Sequence, residues 1–306
     1  MLLWDCASNC DYNCQRIITT QRQKRRPPID NAVVQFHGKW PFHRLAGIQE
    51  PFSVLFSLLN FLAHQQGLAK VREQIPKSYP LRPYYELLAY FGLSSWVFSM
   101  LFHVRDFPVT ETLDYLAAGA YILYGLYYGV VRMFGLDQAS GLKQGREEGS
   151  GGRGAAGAAG AAALRAWTGF CALLYLGHVS YLLLVRWDHE YNILANLVVG
   201  MVQNVLWTWF SVKRYRAVGG QGWTVWPALI VGWIIAAMSL ELFDFAPLGG
   251  MLDAHSLWHL GTVGPTVWWY RYVPLPLLLL LLLLHACKMR RLWGRAVQGL
   301  LDGCLG

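Results

Sequence analysis

The chain has 306 residues, of which 55% are hydrophobic and only 14% are charged, and its formal net charge is +8. Soluble domains carry roughly 25% charged residues, so the composition favours a membrane protein over a soluble enzyme. Most Lys and Arg lie in short segments between apolar runs, which indicates membrane topology before nucleic-acid binding. The sequence contains no glycine-rich phosphate loop and no dinucleotide fingerprint.

The first 49 residues are mixed and polar. Near their start lie Cys6, Cys10 and Cys14, and this odd number predicts either an absent disulfide partner or three free thiols. No charged segment followed by an apolar core precedes these cysteines, so we expect the first span to act as the signal or the true amino terminus to be missing. The aromatic stretch at 34–42 is too polar to span a membrane, and we expect it to lie at the interface.

Seven apolar segments follow that are long enough to cross a bilayer, which takes about 20 mostly apolar residues. They lie at roughly 50–68, 84–104, 113–134, 164–186, 191–212, 222–243 and 252–271. The sequence therefore predicts an all-α polytopic membrane protein, a seven-transmembrane helical bundle over residues 50–272.

The segments between these spans alternate in charge. Basic residues dominate after the first, third and fifth spans and in the carboxyl tail, whereas acidic residues follow the second, fourth and sixth. Because basic residues mark cytoplasmic loops, we expect a luminal amino terminus and a cytoplasmic carboxyl terminus. A basic run at 22–26 points the other way, but a long amino-terminal segment can be translocated despite its charge.

Two stretches differ from the rest in composition. A Gly/Ala-rich tract at 149–163 predicts a disordered cytoplasmic loop at about 137–163. Residues 273–306 form a Leu-rich and basic tail, and the basic residues after the leucine run exclude a GPI-attachment signal.

Two histidines four residues apart, His255 and His259, stand at the start of the last span. Residues at this spacing share one helix face, so both imidazoles can reach one metal ion. Asp253 lies just before them and predicts either a partner that orients one imidazole or the N-cap of the helix. Without a metal, the pair would be two interfacial histidines bonded to water.

The same i, i+4 spacing separates Ser99 from His103 at the end of the second span, and Asp114 begins the third. The charge alternation places these three residues on the luminal side, together with His255 and His259. Three imidazoles leave a fourth position on Zn²⁺ open, which is typical of catalytic sites, and zinc lowers the pKa of a bound water toward about 7. Asp114 would act as general base, and Ser99 as oxyanion donor or as nucleophile.

The remaining histidines carry weaker signals. His64 and His178 lie in apolar segments with no partner at helical spacing, and the others lie in or near loops. We expect none of them to act in catalysis.

The set Ser99, His103, Asp114, His255 and His259 resembles the motifs of the CREST superfamily of seven-span membrane hydrolases, which includes alkaline ceramidases and adiponectin-receptor-like proteins. Further motifs resemble the post-GPI-attachment to proteins factor 3 family over about residues 4–263. They are QFHGKWPF at 35–42, FHVRD at 102–106, HVSYL at 178–182, YNILAN at 191–196 and LELFDF at 240–245.

The resemblance implies a phospholipase A2-type enzyme of the Golgi membrane that removes the sn-2 acyl chain of GPI-anchored proteins during lipid remodelling. Zinc is implied by the ceramidase relatives. The sequence departs from the family in its short cysteine-containing segment, its Gly/Ala tract and its end beyond about residue 264. Two alternatives stay open: a ceramidase-like amide hydrolase, and a non-catalytic receptor or chaperone that holds lipid in a polar pocket.

Overall fold

The computed structural model describes residues 4–25, 32–137 and 151–274, with side chains of the last range from residue 157 onward. Within these ranges every regular element is a helix, and no β-strand occurs. The all-α prediction is confirmed for the described part of the chain.

A first helix that the sequence did not predict, α1, spans Cys6–Lys24. Asp5 caps it, because its carboxylate accepts the backbone N–H of Ser8 at 2.7 Å. Cys6, Cys10 and Cys14 lie on successive turns of α1 as exposed free thiols. Both interpretations of the cysteine cluster, an absent disulfide partner and three free thiols, agree with this arrangement.

Seven further α-helices follow, and each overlaps one of the seven predicted apolar segments in chain order. They are α2 (Pro51–Gln74), α3 (Arg82–Val104), α4 (Pro108–Phe134), α5 (Gly151–Ser180), α6 (His189–Ala217), α7 (Trp226–Leu242) and α8 (Ala254–Tyr272). A π-helical turn, Tyr181–Val185, extends α5, and a 3₁₀ turn, Gly222–Val225, precedes α7.

Four of the described helices are long and apolar enough to cross a membrane: α3, α5 with its π turn, α6, and α7 with its 3₁₀ turn. These helices support a multi-pass membrane protein. Helices α2, α4 and α8 carry inward polar or ionisable groups such as Asn60, Asp114 and His259. Such groups lower the mean hydropathy of a helix, and the predicted count of seven spans is not confirmed.

Six of the helices close into a ring. Helix α2 packs against α3 and α8, α3 against α4, α4 against α6, α6 against α7, and α7 against α8. Helix α5 packs on the outside of this ring, mainly against α4. The ring brings the start of α2, the end of α3 and the starts of α4 and α8 to one end of the bundle.

The opposite half of the ring has an aromatic core. Tyr85, Tyr128, Trp207 and Tyr270 are buried there among aliphatic side chains. Helices α2 and α3 approach closely at Gly92, where an added Cβ would lie 2.3 Å from the nearest atom of the His64 ring. The packing at this point depends on glycine.

Residues 32–50 and α1 lie over the site end of the ring, and we call them the amino-terminal cover. Lys39 forms an ion pair with Asp106 in the α3–α4 connection. On the other side, the Trp40 indole Nε1–H donates to Asp244 Oδ1 at 2.8 Å, just after α7. The cover therefore extends across the ring from α3 to α7.

The prediction of a disordered loop at 137–163 is wrong for residues 151–163, because α5 begins at Gly151. Ala is the strongest helix former, and the alanines of this tract offset the cost of its glycines. Residues 138–150 lie outside the described residues, as do the leucine run and the basic tail from residue 275 onward.

Candidate metal centre

Three histidines converge at the covered end of the ring. His103 comes from the last turn of α3, and His255 and His259 come from the first two turns of α8. One ring nitrogen of each lies within 4.8 Å of the other two. The Nε2 atom of His255 lies 3.3 Å from that of His103 and 3.0 Å from that of His259.

The other ring nitrogen of each histidine has its own partner. His103 Nδ1 lies 2.8 Å from Glu50 Oε2, and His255 Nδ1 lies 2.8 Å from Glu241 Oε2. The third histidine, His259, has its Nδ1 at 2.9 Å from Ser57 Oγ on α2. Carboxylates and other acceptors at this position fix the tautomer and the orientation of metal-binding imidazoles.

The hydrogen-bond network assigns the protons of these rings. Ionised Glu50 and Glu241 can only accept, so the Nδ1 atoms of the rings that face them carry hydrogen. Ser57 donates its own hydrogen to the Ser53 carbonyl at 2.7 Å and accepts at the same oxygen from the His259 ring. In the neutral form of each ring the Nε2 atom then carries the lone pair, so all three Nε2 atoms can bind one metal ion.

This donor set fits Zn²⁺. Lone pairs that face each other repel unless a cation lies between them. Tetrahedral zinc with Zn–N distances of about 2.0–2.1 Å holds its nitrogen ligands about 3.3 Å apart. The observed separations of 3.0 and 3.3 Å are close to that value. The carboxylates behind two of the rings add negative charge that favours a divalent cation.

Ser99 is buried one turn before His103, and its Oγ lies 3.1 Å from Ser57 Oγ. Because the Ser57 hydrogen is directed to the Ser53 carbonyl, the Ser99 hydroxyl is the donor in this contact. Ser99 thus reaches the histidine cluster through Ser57. Within the described ranges, no carboxylate or imidazole is hydrogen-bonded to Ser99.

Asp114 lies in the second turn of α4 and is half-buried. Its carboxylate interacts electrostatically with His103 and His255. In the described part of the chain we find no hydrogen bond to this carboxylate, so its lone pairs are available to a molecule bound at the centre.

Asp253 is the N-cap of α8. Its carboxylate accepts the Ser256 backbone N–H at 2.9 Å, and the Ser256 hydroxyl accepts the Asp253 N–H at 3.0 Å. This reciprocal pair is a capping box. Of the two roles considered for Asp253, the structure shows helix capping, and Glu241 takes the place beside His255.

His64 and His178 lie outside the cluster. The His64 ring is buried in the core with its Nδ1 at 2.9 Å from the Tyr270 hydroxyl, and His178 contacts the Tyr191 hydroxyl at 3.4 Å. The sequence analysis did not identify Glu50, Ser57 or Glu241 as part of the site. Of these, only Glu241 stood in a motif that carried the family resemblance.

Comparison with known proteins identifies relatives along most of the chain. The model of the Per1-like family matches residues 1–274. The chain is 41% identical over 270 residues to Protein PER1 homolog of Schizosaccharomyces pombe, covering 88% of this chain and 74% of the relative. It is 36% identical over 270 residues to GPI-specific phospholipase A2-like PGAP3 of Cricetulus griseus, covering 88% and 75%.

A further relative, Post-GPI attachment to proteins factor 3 of Drosophila melanogaster, is 35% identical over 263 residues, covering 85% of this chain and 71% of the relative. These matches confirm the resemblance to the post-GPI-attachment factor 3 family. The family model also extends past residue 264, where the sequence analysis placed the end of the resemblance.

Proposed function

The chain belongs to the Per1-like family, and on this premise we propose that it is a GPI-specific phospholipase A2-type hydrolase. It removes the sn-2 acyl chain during fatty-acid remodelling of GPI-anchored proteins. The printed names of its relatives include a GPI-specific phospholipase A2-like protein, which supports this substrate class. The observation that carries the proposal is the convergence of three histidine Nε2 atoms at the covered end of the bundle.

The metal ligands in this proposal are His103, His255 and His259. Zn²⁺ held by them would supply a Lewis acid for the ester carbonyl and a water of lowered pKa. Glu50, Glu241 and Ser57 hold the three rings in one tautomer and orientation, which preserves the ligand geometry.

Asp114 is the general base. It takes a proton from the attacking water and returns it to the glycerol oxygen that leaves, so the products are a free fatty acid and a lysolipid. The electrostatic interaction of its carboxylate with His103 and His255 supports this role.

Ser99 is the oxyanion donor. Its hydroxyl rotates from Ser57 toward the oxygen that becomes negative in the transition state. The alternative role, that of a nucleophile, needs an adjacent base. The hydrogen bond found at Ser99 goes to Ser57, which favours the donor role.

We place the protein in the Golgi membrane with the metal centre and amino terminus luminal and the carboxyl terminus cytoplasmic. The Golgi location is carried over from the family resemblance. The orientation is supported by the alternation of loop charge, because basic residues remain on the cytoplasmic side.

The test uses purified full-length protein in lipid nanodiscs with a synthetic GPI lipid whose sn-2 chain is labelled. We expect His259→Ala to release no label and to lose zinc. Ser99→Ala should keep a rate about 10²–10³ lower than that of the unmodified protein. His178→Ala is the matched control and should retain most activity, because His178 lies outside the cluster.

Full label release by His259→Ala would refute hydrolysis at this centre. A Ser99→Ala protein as inactive as His259→Ala would identify Ser99 as the nucleophile. Cleavage of ceramide in place of the GPI lipid would support the amide-hydrolase alternative. In cells that lack the protein, rescue is read as the fraction of GPI-anchored protein that retains an unsaturated sn-2 chain.

A further inference from the structure

A cavity lies beside the metal centre. It is a cleft of about 280 Å³ between α1, the rest of the amino-terminal cover and the residues that follow α3. Three basic side chains line it: Lys39, Arg44 and Arg105. None of them belongs to the histidine cluster or to its hydrogen-bonding partners.

Two of these basic groups share one indole ring. The guanidinium of Arg44 lies 3.1 Å from the centroid of the Trp4 ring, and that of Arg105 lies 4.4 Å from it. Arg44 also lies 3.9 Å from the centroid of Tyr12. Aromatic stacking holds both side chains in place while leaving the edges of their guanidinium groups available.

The charge of this arginine pair is incompletely balanced. Within the described residues, the one carboxylate in ion-pair range of either guanidinium is Asp5, at 3.7 Å from Arg105, and its side chain is 66% exposed. Lys39 is already paired with Asp106. Burial lowers the pKa of Arg44 and the charge of Arg105 adds to this effect, whereas Tyr12 and Asp11 act in the opposite direction. Two adjacent cations of this kind are stabilised by an anion.

The two hydrogen bonds of the Arg44 guanidinium are long, and most N–H donors of the pair have no hydrogen-bond partner among the described residues. Arg44 donates to Asn9 Oδ1 at 3.5 Å and to the Ser8 carbonyl at 3.4 Å, and Arg105 donates to Ser8 Oγ at 3.1 Å. Each guanidinium has five N–H donors in a planar fork that matches phosphate oxygens.

The cleft and the metal centre share a wall. Arg105 is the C-cap of α3 and follows His103 by two residues. Next to it, Gln49 N–H donates to the Val104 carbonyl at 3.0 Å and Glu50 N–H to the His103 carbonyl at 3.1 Å. Gln49 and Arg105 line the cleft, so the cleft adjoins the backbone that carries Glu50 and His103.

The geometry points to a headgroup site: the cleft binds the phosphate diester and inositol ring of the lipid substrate through Arg44 and Arg105, while the acyl ester enters the metal centre. This inference rests on the proposed function for the identity of the lipid. It assigns to Arg44 and Arg105 the discrimination of a phosphoinositide from a neutral lipid such as ceramide.

The test measures binding without turnover, by calorimetry on the full-length protein in nanodiscs. The probes are glycerophosphoinositol, inorganic phosphate and myo-inositol. We expect glycerophosphoinositol to bind more tightly than either fragment. Arg44→Gln should weaken its binding by about 10-fold or more, because a charge-assisted contact is lost. Lys77→Gln removes the same charge from the exposed α2–α3 connection and should leave binding unchanged.

Arg44→Lys keeps the positive charge but loses the planar set of guanidinium donors. It should bind glycerophosphoinositol with intermediate affinity. Retained zinc shows that each variant is folded. Inorganic phosphate binding as tightly as glycerophosphoinositol would make this a free-phosphate site and overturn the headgroup assignment, as would unchanged binding in Arg44→Gln. Intact headgroup binding by a protein that releases no acyl chain would refute the hydrolase and leave the cleft assignment standing.

Discussion

Replacing Glu241 by Gln tests how the metal centre is held. The Glu241 carboxylate lies 2.8 Å from Nδ1 of His255, and its side chain is 29% exposed. Gln is nearly the same size and its amide oxygen still accepts the Nδ1–H, so the substitution removes the negative charge and keeps the hydrogen bond. Loss of such a partner costs about 10–100-fold in metal affinity or activity. Because the hydrogen bond remains, we expect Glu241→Gln near the lower limit, about 10-fold or 1.4 kcal/mol.

The assay is zinc affinity, measured by competition with a buffered chelator, together with release of the labelled acyl chain. Glu241→Ala removes both the charge and the acceptor and should approach the 100-fold limit of that range. Glu73→Gln, on an exposed part of α2, is the control and should change neither quantity. Equal zinc affinity in Glu241→Gln, Glu241→Ala and Glu73→Gln would refute the assignment of His255 as a ligand oriented by this carboxylate.

Two further predictions concern packing and topology. Gly92→Ala should lower the free energy of unfolding by about 1–3 kcal/mol, because the new methyl group overlaps the His64 ring. Gly169→Ala on α5 meets no atom within 4 Å and should be neutral or stabilising, and a thermal shift measurement that ranks the two variants equally would contradict this packing. A glycosylation-acceptor tag inserted between residues 106 and 112 should be glycosylated and one near residue 145 should not, and the reverse pattern would place the metal centre on the cytoplasmic side.

The sequence predicted the helices well because most of them have apolar runs with clear ends. Such periodic, apolar information is local, and it sufficed to assign Ser99, His103, Asp114, His255 and His259 to one end of the bundle by loop charge alone. Helix α1 was missed because its residues are mostly polar and it has no apolar face that would mark it as a helix. The helical part of the Gly/Ala tract was missed because low complexity was given more weight than the helix propensity of alanine.

The hydrogen-bonding partners of the three histidines could not be predicted from local sequence. Glu50 stands before a proline at a helix start and reaches His103, which is 53 positions away in sequence. Ser57 is a small polar residue within an apolar run, and it contacts His259 only because α2 packs against α8. Their roles follow from the closure of the ring, which a single sequence without spatial contacts does not reveal.

The ring closes between its first helix in chain order, α2, and its last, α8. Asn60 donates to the carbonyl of His259 at 2.7 Å across this junction. During synthesis the ribosome makes α2 early and α8 last, so the donor set remains incomplete until nearly the whole bundle has emerged. A chain that ends before α8 therefore lacks His255 and His259, although it already contains their partners Glu241 and Ser57. The cluster of three histidines therefore forms only after α8 has been synthesised and has packed against α2.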